Sequence, residues 1–457
     1  MKGKQQNTQQ DLDRYIDIQN RKEAEPSMAE HEPGSPAEHE PLAYVMDEIL
    51  DKENLDKALK RVIRNKGGPG VDGMTVKELP AHLESSWPNI ERQIRDMRYN
   101  PAPVKRVEIP KPNGGVRKLG IPTVTDRYIQ QAIHQVLQAY FDPTFSEHSY
   151  GFRPNRSAHQ AIAESKKHIL AGYCWVVDLD LERFFDQVNH DILMTLLAKR
   201  VTDKRLLKLV RGYLNSGILN EGLMSPTTEG TPQGGPLSPL LSNIVLDVLD
   251  KELERRGHRF VRYADDCNIY VRSERAGKRV KRSITRFISK KLKLKVNEEK
   301  SAVGQPSERA FLGFSFTRLH RPRICVSRKA LGKFKARVKE ITNRNRGGKL
   351  DNVIKELNRF LKGWGGYFGF CETRTVLKNL NSWIRRRLRC LLWKRWKTPR
   401  NRFKELRSRG VYGIPLRAAG SRKGPWRLSA SFAVKAALPD KYFRDLGLVE
   451  LQARRPS

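Results

Sequence analysis

Cysteine is scarce in this sequence, and its spacing suggests no shared chemistry. The five residues, at positions 174, 267, 325, 371 and 390, are scattered and form no C-x-x-C pair. That pattern argues against zinc knuckles, zinc fingers and a disulfide framework. Isolated cysteines of this kind are typical of small core hydrophobes in a reducing cytoplasm, which is the location we expect.

Long apolar runs are also missing. The amino-terminal stretch MKGKQQNTQQDLDRY lacks the apolar core of a signal peptide. No later stretch has the length of a membrane span or the pattern of a lipidation signal. We therefore expect no membrane partner.

Acidic residues are few beside the basic ones. There are 50 Asp and Glu against 88 Lys and Arg, which gives a formal net charge of +38 in 457 residues. A surface this positive repels itself, so its natural partner is a polyanion, and nucleic acid is favoured. The length predicts two or three domains, and the 38% of hydrophobic residues is enough for a core.

The amino-terminal block differs from the rest of the chain. Residues 1–41 hold nine Asp and Glu, five Lys and Arg, several prolines and few apolar residues. Such a composition cannot bury enough surface to offset chain entropy, so we predict that this block is disordered. Folded structure should begin near Tyr44, where helical periodicity starts.

The remainder predicts three successive regions. From 42 to 327 helical segments mix with short strands, an α+β pattern that includes a β-hairpin over 104–122 with Asn113-Gly114 at its turn. Three helices follow over 328–400, and residues 401–457 form a small basic module. In the last of the three helices an apolar stripe shares the surface with more arginine than solvation needs. The stripe is Leu380, Ile384, Leu388 and Leu391, and the arginines are Arg385, Arg386, Arg389 and Arg395.

Two adjacent carboxylates stand between strand-like runs in FVRYADDCNIYV, residues 260–271. Asp265 and Asp266 repel each other in a tight turn unless a positive group lies against them. An ordinary turn, in which Asp is common, is the simpler interpretation. A site for divalent metal ions is the sharper one.

Phosphoryl transfer to a growing nucleic acid would need further acidic ligands. It uses two Mg²⁺ ions about 3.5–4 Å apart, and Mg²⁺ prefers carboxylate oxygen. The segment VVDLDLERFFD, which begins as an apolar strand, offers Asp178, Asp180 and Asp186. The residues alone do not decide among the three.

The order of the motifs resembles that of bacterial group II intron reverse transcriptases, also called maturases. YADD on a hairpin, preceded by D-x-x-x-F-F-D, is similar to the palm of reverse transcriptases, and EGTPQGGPLSPLLSNIVLDVLD resembles their template-handling loop and helix. IPKPNGGVRKLGIPTVTDRYIQQAI and HSYGFRPNRSAHQAI resemble the fingers. KLKLKVNEEKS, AFLGFSF and LNRFLKGWGGYFGF then continue the family's order. The resemblance extends from about residue 45 to the tail.

The resemblance implies a right-hand polymerase fold. Fingers and palm, with an antiparallel palm sheet, would occupy 42–327. A helical thumb or maturase (X) domain would occupy 328–400, and a basic DNA-binding region 401–457. The arginines of the last thumb helix would then meet phosphates of the template–primer duplex or of the intron RNA.

The matching pattern also implies a set of site residues. Its first Asp is the metal ligand, so Asp180, Asp265 and Asp266 would hold two Mg²⁺ ions, with Mn²⁺ as an alternative. Asp178, two residues earlier on the same strand face, is the other candidate, whereas Asp186 would be structural.

Further residues follow from the same resemblance. Phe185 would place its ring against the sugar 2′ carbon and reject ribonucleotides, while Phe184 fits a core position. Lys111 and Arg117 would grip the incoming triphosphate, and Gln233 would lie near the nascent base pair. Tyr263 would pack beside the primer end. Lys300 would protonate the leaving pyrophosphate, although a solvated lysine is the simpler alternative.

The expected function is that of an RNA-directed DNA polymerase that copies intron RNA during retrohoming and assists splicing. Its partners would be group II intron RNA, an RNA template–DNA primer duplex, target DNA and dNTPs, in a nucleoid-associated ribonucleoprotein. Two alternatives stay open: another bacterial reverse transcriptase, such as a retron or defence-associated enzyme, and a splicing-only RNA-binding maturase.

One departure from the family pattern bears on DNA cleavage. Many relatives end in a zinc-supported HNH endonuclease with paired cysteines and a catalytic histidine, but no Cys or His follows residue 400. We therefore expect no second-strand cleavage by that route and a similarity to the group IIC lineage. Retrohoming would then start from a primer already present, such as a nascent strand at a replication fork.

Overall fold

The computed structural model describes residues 41–110, 116–220, 223–225, 229–230, 234–345 and 347–453. The chain divides into two compact units, the first ending at Gly304 and the second beginning at Gln305. The sequence analysis drew the corresponding boundary at 327, where helical periodicity begins. The structure differs because a short hairpin of two strands precedes the helices and belongs to the second unit.

The first unit contains ten α-helices and eight strands within its described residues. In chain order they are α1 Val45–Ile49, α2 Lys52–Asn65, α3 Leu79–Arg95, β1 Val104–Pro110, β2 Val116–Ile121, α4 Val124–Phe141, α5 Ala158–Leu170, β3 Trp175–Leu179, α6 Phe184–Gln187, α7 His190–Ala198, α8 Lys204–Asn215, β4 Ile218–Asn220, β5 Leu223–Ser225, α9 Ser238–Arg255, β6 Arg259–Tyr263, β7 Asp266–Val271, α10 Glu274–Phe287 and β8 Ala302–Gly304. A π-helical turn, Ile288–Leu292, continues α10.

Helical structure begins at Val45, as the periodicity after Tyr44 predicts. The predicted helix is divided in two because Asp51 starts a new one: its side chain accepts a hydrogen bond from the backbone N–H of Glu53 at 2.9 Å. The predicted disorder of 1–41 concerns residues that, except for the last, lie outside the described ranges.

The predicted hairpin over 104–122 is present. Strands β1 and β2 pair antiparallel, with Pro110 opposite Val116, and β4 and β5 extend this sheet to four strands. The turn residues 111–115, with Lys111 and Asn113-Gly114 among them, lie outside the described part of the chain.

A second four-stranded sheet, the central sheet, has the order β6-β7-β3-β8 and is antiparallel throughout. Its strands are apolar because helices cover it: α10 packs against β3, β7 and β8, and α5 packs against β6. Val177 and Ile269, paired in register, are both fully buried. The prediction of an α+β fold with an antiparallel palm-type sheet is confirmed.

The second unit contains a β-hairpin and a set of helices. Its elements are β9 Phe314–Phe316, β10 Ile324–Val326, α11 Arg328–Ile341, α12 Leu350–Phe368, α13 Arg374–Arg395, α14 Pro399–Ser408, a 3₁₀ segment Ile414–Gly420, α15 Pro425–Leu428, α16 Phe432–Ala437 and α17 Asp440–Asp445. Helices α11, α12 and α13 are the three predicted ones.

Aromatic side chains form much of the core of the second unit. The rings of Phe334 and Trp364 lie 4.4 Å apart, and Phe314 of the hairpin lies 5.2 Å from Phe368. Tyr367 donates a hydrogen bond to the carbonyl of Leu312 at 2.9 Å. These contacts give the aromatics of α12 a packing role. Among the helices of the described residues, none is long and apolar enough to cross a membrane.

The prediction that the arginines of α13 reach nucleic acid is wrong for two of them. Arg389 is 6% exposed and bonds the Leu438 carbonyl at 2.8 Å and the Asp440 carboxylate at 2.7 Å. Arg385 pairs with Asp440 at 2.9 Å and with Glu450 at 3.0 Å. Their guanidinium groups pair with acids of the carboxyl-terminal segment. Such pairing cannot be read from the periodicity of one helix.

Candidate active site

The two adjacent aspartates lie where β6 turns into β7. Tyr263 pairs with Asp266, so Ala264 and Asp265 form the whole turn. Ala264 has φ +57°, in the left-handed region that non-glycine residues rarely adopt. Strain of this kind is common at functional sites.

Strand register brings a third acid to the same place. Leu179 of β3 pairs with Cys267 of β7, and continuing this register by one residue sets Asp180 across from Asp266. Asp178, which pairs with Asn268, points to the same face because side chains alternate along a strand. Three carboxylates therefore meet at one edge of the central sheet, with Asp265 beside them in the turn.

The pKa of Asp266 reflects the nearby carboxylates. Its pKa is raised from 3.8 to about 7, first because the surrounding protein displaces water and then because the carboxylates of Asp265, Asp180 and Asp178 repel its charge. Lys300 acts in the opposite direction.

Lys300 neutralises part of this charge. Its Nζ lies 3.1 Å from Oδ2 of Asp180, and the lysine side chain is 67% exposed. The backbone around Asp180 is fixed separately, since its N–H donates to Ser301 Oγ at 2.9 Å and its carbonyl accepts from the N–H of Asn297 at 2.8 Å.

The donor set fits a divalent cation in its chemistry. Carboxylate oxygens are the ligands that Mg²⁺ and related ions prefer, and repulsion among four of them is relieved by a cation. Within the described ranges, however, no three Asp, Glu, His or Cys side chains are arranged closely enough to hold a metal ion. In this structure the ammonium group of Lys300 partly balances the negative charge of the acids.

A buried ion pair between Arg262 and Asp250 supports the β6–β7 turn. The sequence reasoning did not identify it. Arg262 is 1% exposed, and its Nε donates to Asp250 Oδ1 at 2.7 Å. Its Nη1 donates to the carbonyl of Ala264 and to Oδ1 of Asn243, both at 3.0 Å. The sequence did contain a signal of this pair. An arginine stands between Val261 and Tyr263 in a buried strand, and a buried charge needs a partner.

The same turn is packed against Gly151. A side chain at this position would overlap the backbone of Ala264, so only glycine fits. Asn243 donates to the Gly151 carbonyl at 2.9 Å, which joins this contact to the Arg262 pair. The position of the acidic turn is thereby set by helix α9 and by the loop that precedes α5.

The two phenylalanines after Asp180 differ in burial. Phe184 is 2% exposed and belongs to the core, as predicted, whereas Phe185 is half-buried and packs edge-on against it at 5.3 Å between ring centroids. Tyr263 is also half-buried, at the end of β6.

Gly234, in the described part of the TPQGG segment, approaches other backbone closely. Gly234 has φ +131°, and a Cβ built there would lie 2.5 Å from the carbonyl oxygen of Gly120 in β2. Gln233 itself lies outside the described residues, as does Lys111. Arg117 is in β2 opposite Ile109, but its side chain is outside the described part.

Two family matches cover most of the folded chain. Residues 109–316 match "Reverse transcriptase (RNA-dependent DNA polymerase)", and residues 331–410 match "Group II intron, maturase-specific domain". The first match includes the central sheet and all four acids. The second covers helices α11 to α14.

Known proteins with similar sequences include two bacterial ones. Protein YkfC of Escherichia coli K12 is 38% identical over 214 residues, 46% of this chain and 56% of YkfC. The group II intron-encoded protein LtrA of Lactococcus lactis subsp. cremoris is 30% identical over 359 residues, 60% of each chain. The matched region thus spans between 56% and 60% of the length of these relatives.

Similar solved structures include a partial Cas6-RT-Cas1–Cas2 complex and a telomerase. The former has a TM-score of 0.36 and 24% identity, covering 54% of this chain and 42% of its own. The telomerase, from Candida albicans in complex with a fragment of telomeric RNA, has a TM-score of 0.42 and 13% identity, covering 72% of this chain and 66% of its own.

The central sheet, its gathered acids and the first family match define a reverse transcriptase domain. Reverse transcriptases as a class use divalent metal ions. The second unit matches a group II intron maturase-specific domain, so the two matches together agree with the group II intron reverse transcriptase/maturase family that the sequence motifs resemble.

Removing one partner of the buried pair should destabilise the first unit strongly. We expect Asp250→Ala to lower the free energy of unfolding by about 3–5 kcal/mol, because Arg262 would keep an uncompensated buried charge. Urea denaturation followed by circular dichroism measures this. Lys57→Ala is the control, since it breaks the exposed Lys57–Glu53 pair and should cost under about 0.5 kcal/mol. Equal losses in the two variants would contradict the assignment.

Lost hydration and charge repulsion at Asp266 predict that its removal gives a pH-dependent gain in stability. Its raised folded-state pKa means that deprotonation opposes folding between about pH 4 and 7. In metal-free protein, Asp266→Asn should therefore stabilise more at pH 8 than at pH 5. The difference should be about 1–2 kcal/mol, less than the full pKa shift implies because the side chain keeps contact with water.

The exposed Asp191 supplies the control for this pH dependence. Its carboxylate is 82% exposed and pairs only with Arg211 at the surface, so Asp191→Asn should show little difference between the two pH values. Thermal unfolding in a chelator-containing buffer is the measurement. A gain for Asp266→Asn that is the same at pH 5 and pH 8 would rule out the raised pKa of Asp266 as its cause.

Proposed function

We propose that the protein is an RNA-directed DNA polymerase of a group II intron. The observation that carries the proposal is the convergence of Asp180, at the end of β3, with Asp265 and Asp266 in the β6–β7 turn. The reverse transcriptase match over residues 109–316 supports the same activity. The reaction is nucleotidyl transfer from dNTPs to a DNA primer paired with an RNA template.

Asp180, Asp265 and Asp266 would hold two Mg²⁺ ions, with Mn²⁺ as an alternative. When bound, the ions activate the primer 3′ oxygen and balance charge on the triphosphate. The chain's own contribution would be the three carboxylates, whose backbone is positioned by β3, β7 and the Arg262 pair. Asp178 lies on the same face and adds to the negative field.

Lys300 is suited to handle charge on the leaving group. Its ammonium lies at the acids, is largely exposed and is carried by a long flexible side chain. Movement from Asp180 toward a bound triphosphate needs only side-chain rotation. There the ammonium would donate a proton to the departing pyrophosphate.

Phe185 and Tyr263 would shape the substrate pocket. The half-buried ring of Phe185, anchored against Phe184, would stand against the sugar 2′ carbon and exclude a 2′ hydroxyl by clash. Tyr263 would pack beside the primer end. Lys111 and Arg117 of the β1–β2 hairpin would grip the triphosphate, and Gln233 would lie near the nascent base pair; these three roles rest on the resemblance of their motifs.

The second unit supports a maturase role in addition. Its match to a maturase-specific domain over residues 331–410 favours a protein that binds its intron RNA and assists splicing over a retron or defence-associated reverse transcriptase. Retention of all three acids favours an active polymerase over a splicing-only maturase. The partners would be intron RNA, template–primer duplex and target DNA, in a nucleoid-associated ribonucleoprotein of the bacterial cytoplasm.

Loss of one acid should abolish DNA synthesis without loss of RNA binding. We expect Asp265→Asn to reduce primer extension on an RNA template by roughly 10²- to 10³-fold, because several kcal/mol of transition-state charge stabilisation disappear. Extension with dNTPs and Mg²⁺ and RNA binding by filter retention are the measurements. Asp191→Asn, a surface carboxylate of the same unit, should retain full activity. Normal extension by Asp265→Asn would sink the proposal.

Removal of the Phe185 ring should admit ribonucleotides. We expect Phe185→Ala to lower the preference for dNTPs over rNTPs by about 10- to 100-fold, as loss of a steric contact does in other pockets. Single-nucleotide incorporation with dNTP and rNTP pairs measures the ratio. Phe185→Tyr keeps the ring and should keep the preference. Unchanged discrimination in Phe185→Ala would remove Phe185 from this role.

A further inference from the structure

The outer face of α10 and of the π-helical turn that continues it carries a row of exposed cations. We name it the basic strip and define it as Arg275, Arg279, Arg282, Arg286, Lys290 and Lys291. All six are exposed, and none forms an ion pair with any residue that the structure describes. The neighbouring Lys278 and Lys281 differ, since they pair with Glu274 and Glu298.

The opposite face of α10 is buried. Gly277, Val280 and Ile284 pack toward the central sheet, whose β3, β7 and β8 the helix covers. The basic strip therefore points away from the sheet. At 1.5 Å per residue it extends about 22 Å from Arg275 to Lys290.

The spacing of these cations lowers the stability of α10. Arg275 and Arg279, and likewise Arg282 and Arg286, are like charges at i,i+4 spacing, which repel. Residues 274–295 contain ten Lys and Arg and one acid, Glu274. The exposed helix α2, in contrast, places Glu53 four residues before Lys57 and forms the pair. A face that only needed solvation would not concentrate one sign of charge in this way.

The amino-terminal end of the strip lies away from the candidate active site. Helix α10 begins just after β7 ends at Val271, whereas Asp266 lies at the other end of that strand, about 17 Å away. Arg275 and Arg279 are therefore near the end of the sheet remote from the acids. The other end of the strip is nearer to them, since the carbonyl of Lys295, four residues after Lys291, accepts the N–H of Glu182.

We propose that the basic strip binds the phosphate backbone of an RNA helix. From Arg275 to Lys290 its cations follow one line with steps of about 4.5–6 Å, which suits an extended anion with regularly spaced charges, and Lys291 lies beside the last of them. No exposed aromatic side chain accompanies them in the described residues of this face, so base stacking, which single strands need, is not provided. A helical RNA requires only the contacts with its backbone. The choice of RNA among polyanions rests on the proposed function.

The test compares two variants with the same change of charge. In the strip variant Arg275, Arg279, Arg282 and Arg286 are replaced by Gln; in the control, the exposed Lys52, Lys60, Lys204 and Lys208 of α2 and α8 are replaced by Gln. The probe is a 16-base-pair RNA duplex closed by a loop at each end, so that no primer end can enter the site. Binding is measured by fluorescence anisotropy over a salt series in the full-length protein.

The strip variant should bind this duplex at least about tenfold more weakly, and the slope of log K against log[salt] should fall by about three, because fewer counterions are released. The control should lose less than about twofold. Because repulsion is relieved, the strip variant should unfold at the same or a higher temperature than the parent. Its primer extension on a short template–primer should be retained.

Unchanged affinity in the strip variant, or an equal loss in the control, would overturn the proposal. So would a lowered unfolding temperature together with lost binding, since damage to the fold would then explain both. If the parent protein extends no primer but the strip variant still loses duplex binding, the polymerase assignment fails and the strip assignment stands.

Discussion

The pairing of Arg262 with Asp250 is the interaction on which the candidate site depends. A guanidinium group in the interior of a sheet is costly to bury, and here its hydrogen bonds hold the acidic turn against Asp250 and Asn243. It bonds the carbonyl of Ala264, whose left-handed backbone is strained, and it joins the turn to helix α9. Without it the turn would have to hold two repelling carboxylates on strained backbone alone.

Much of this architecture was accessible from the sequence. The alternation of apolar and charged segments predicted the α+β unit and the three later helices, because hydrophobic periodicity reports which face of an element is buried. The position of Asp180 opposite Asp266 followed from the motif pattern, and the strand register places it there. Periodicity could not identify the partner of the buried Arg262, because Arg262 and Asp250 are brought together only by the tertiary fold.

The arginines of the second unit illustrate the same limit. Composition shows an excess of positive charge on α13, but Arg385 and Arg389 are neutralised by Asp440 and Glu450, far along the chain. On α10 the reverse holds, because the nearby acids Glu274 and Glu298 pair with Lys278 and Lys281, and none of the described acids pairs with the basic strip. Charge counts alone treat these two helices alike. Burial and pairing separate a cation that stabilises the fold from one that is free to meet a ligand.

The close approach of Gly234 to Gly120 links two segments that are over a hundred residues apart in the chain. With no side chain between them, the backbone of Gly234 rests directly on strand β2. A displacement of β2 must therefore carry Gly234 along or break the contact. A purely steric contact of this kind couples the position of the β1–β2 hairpin to that of the segment that leads into α9.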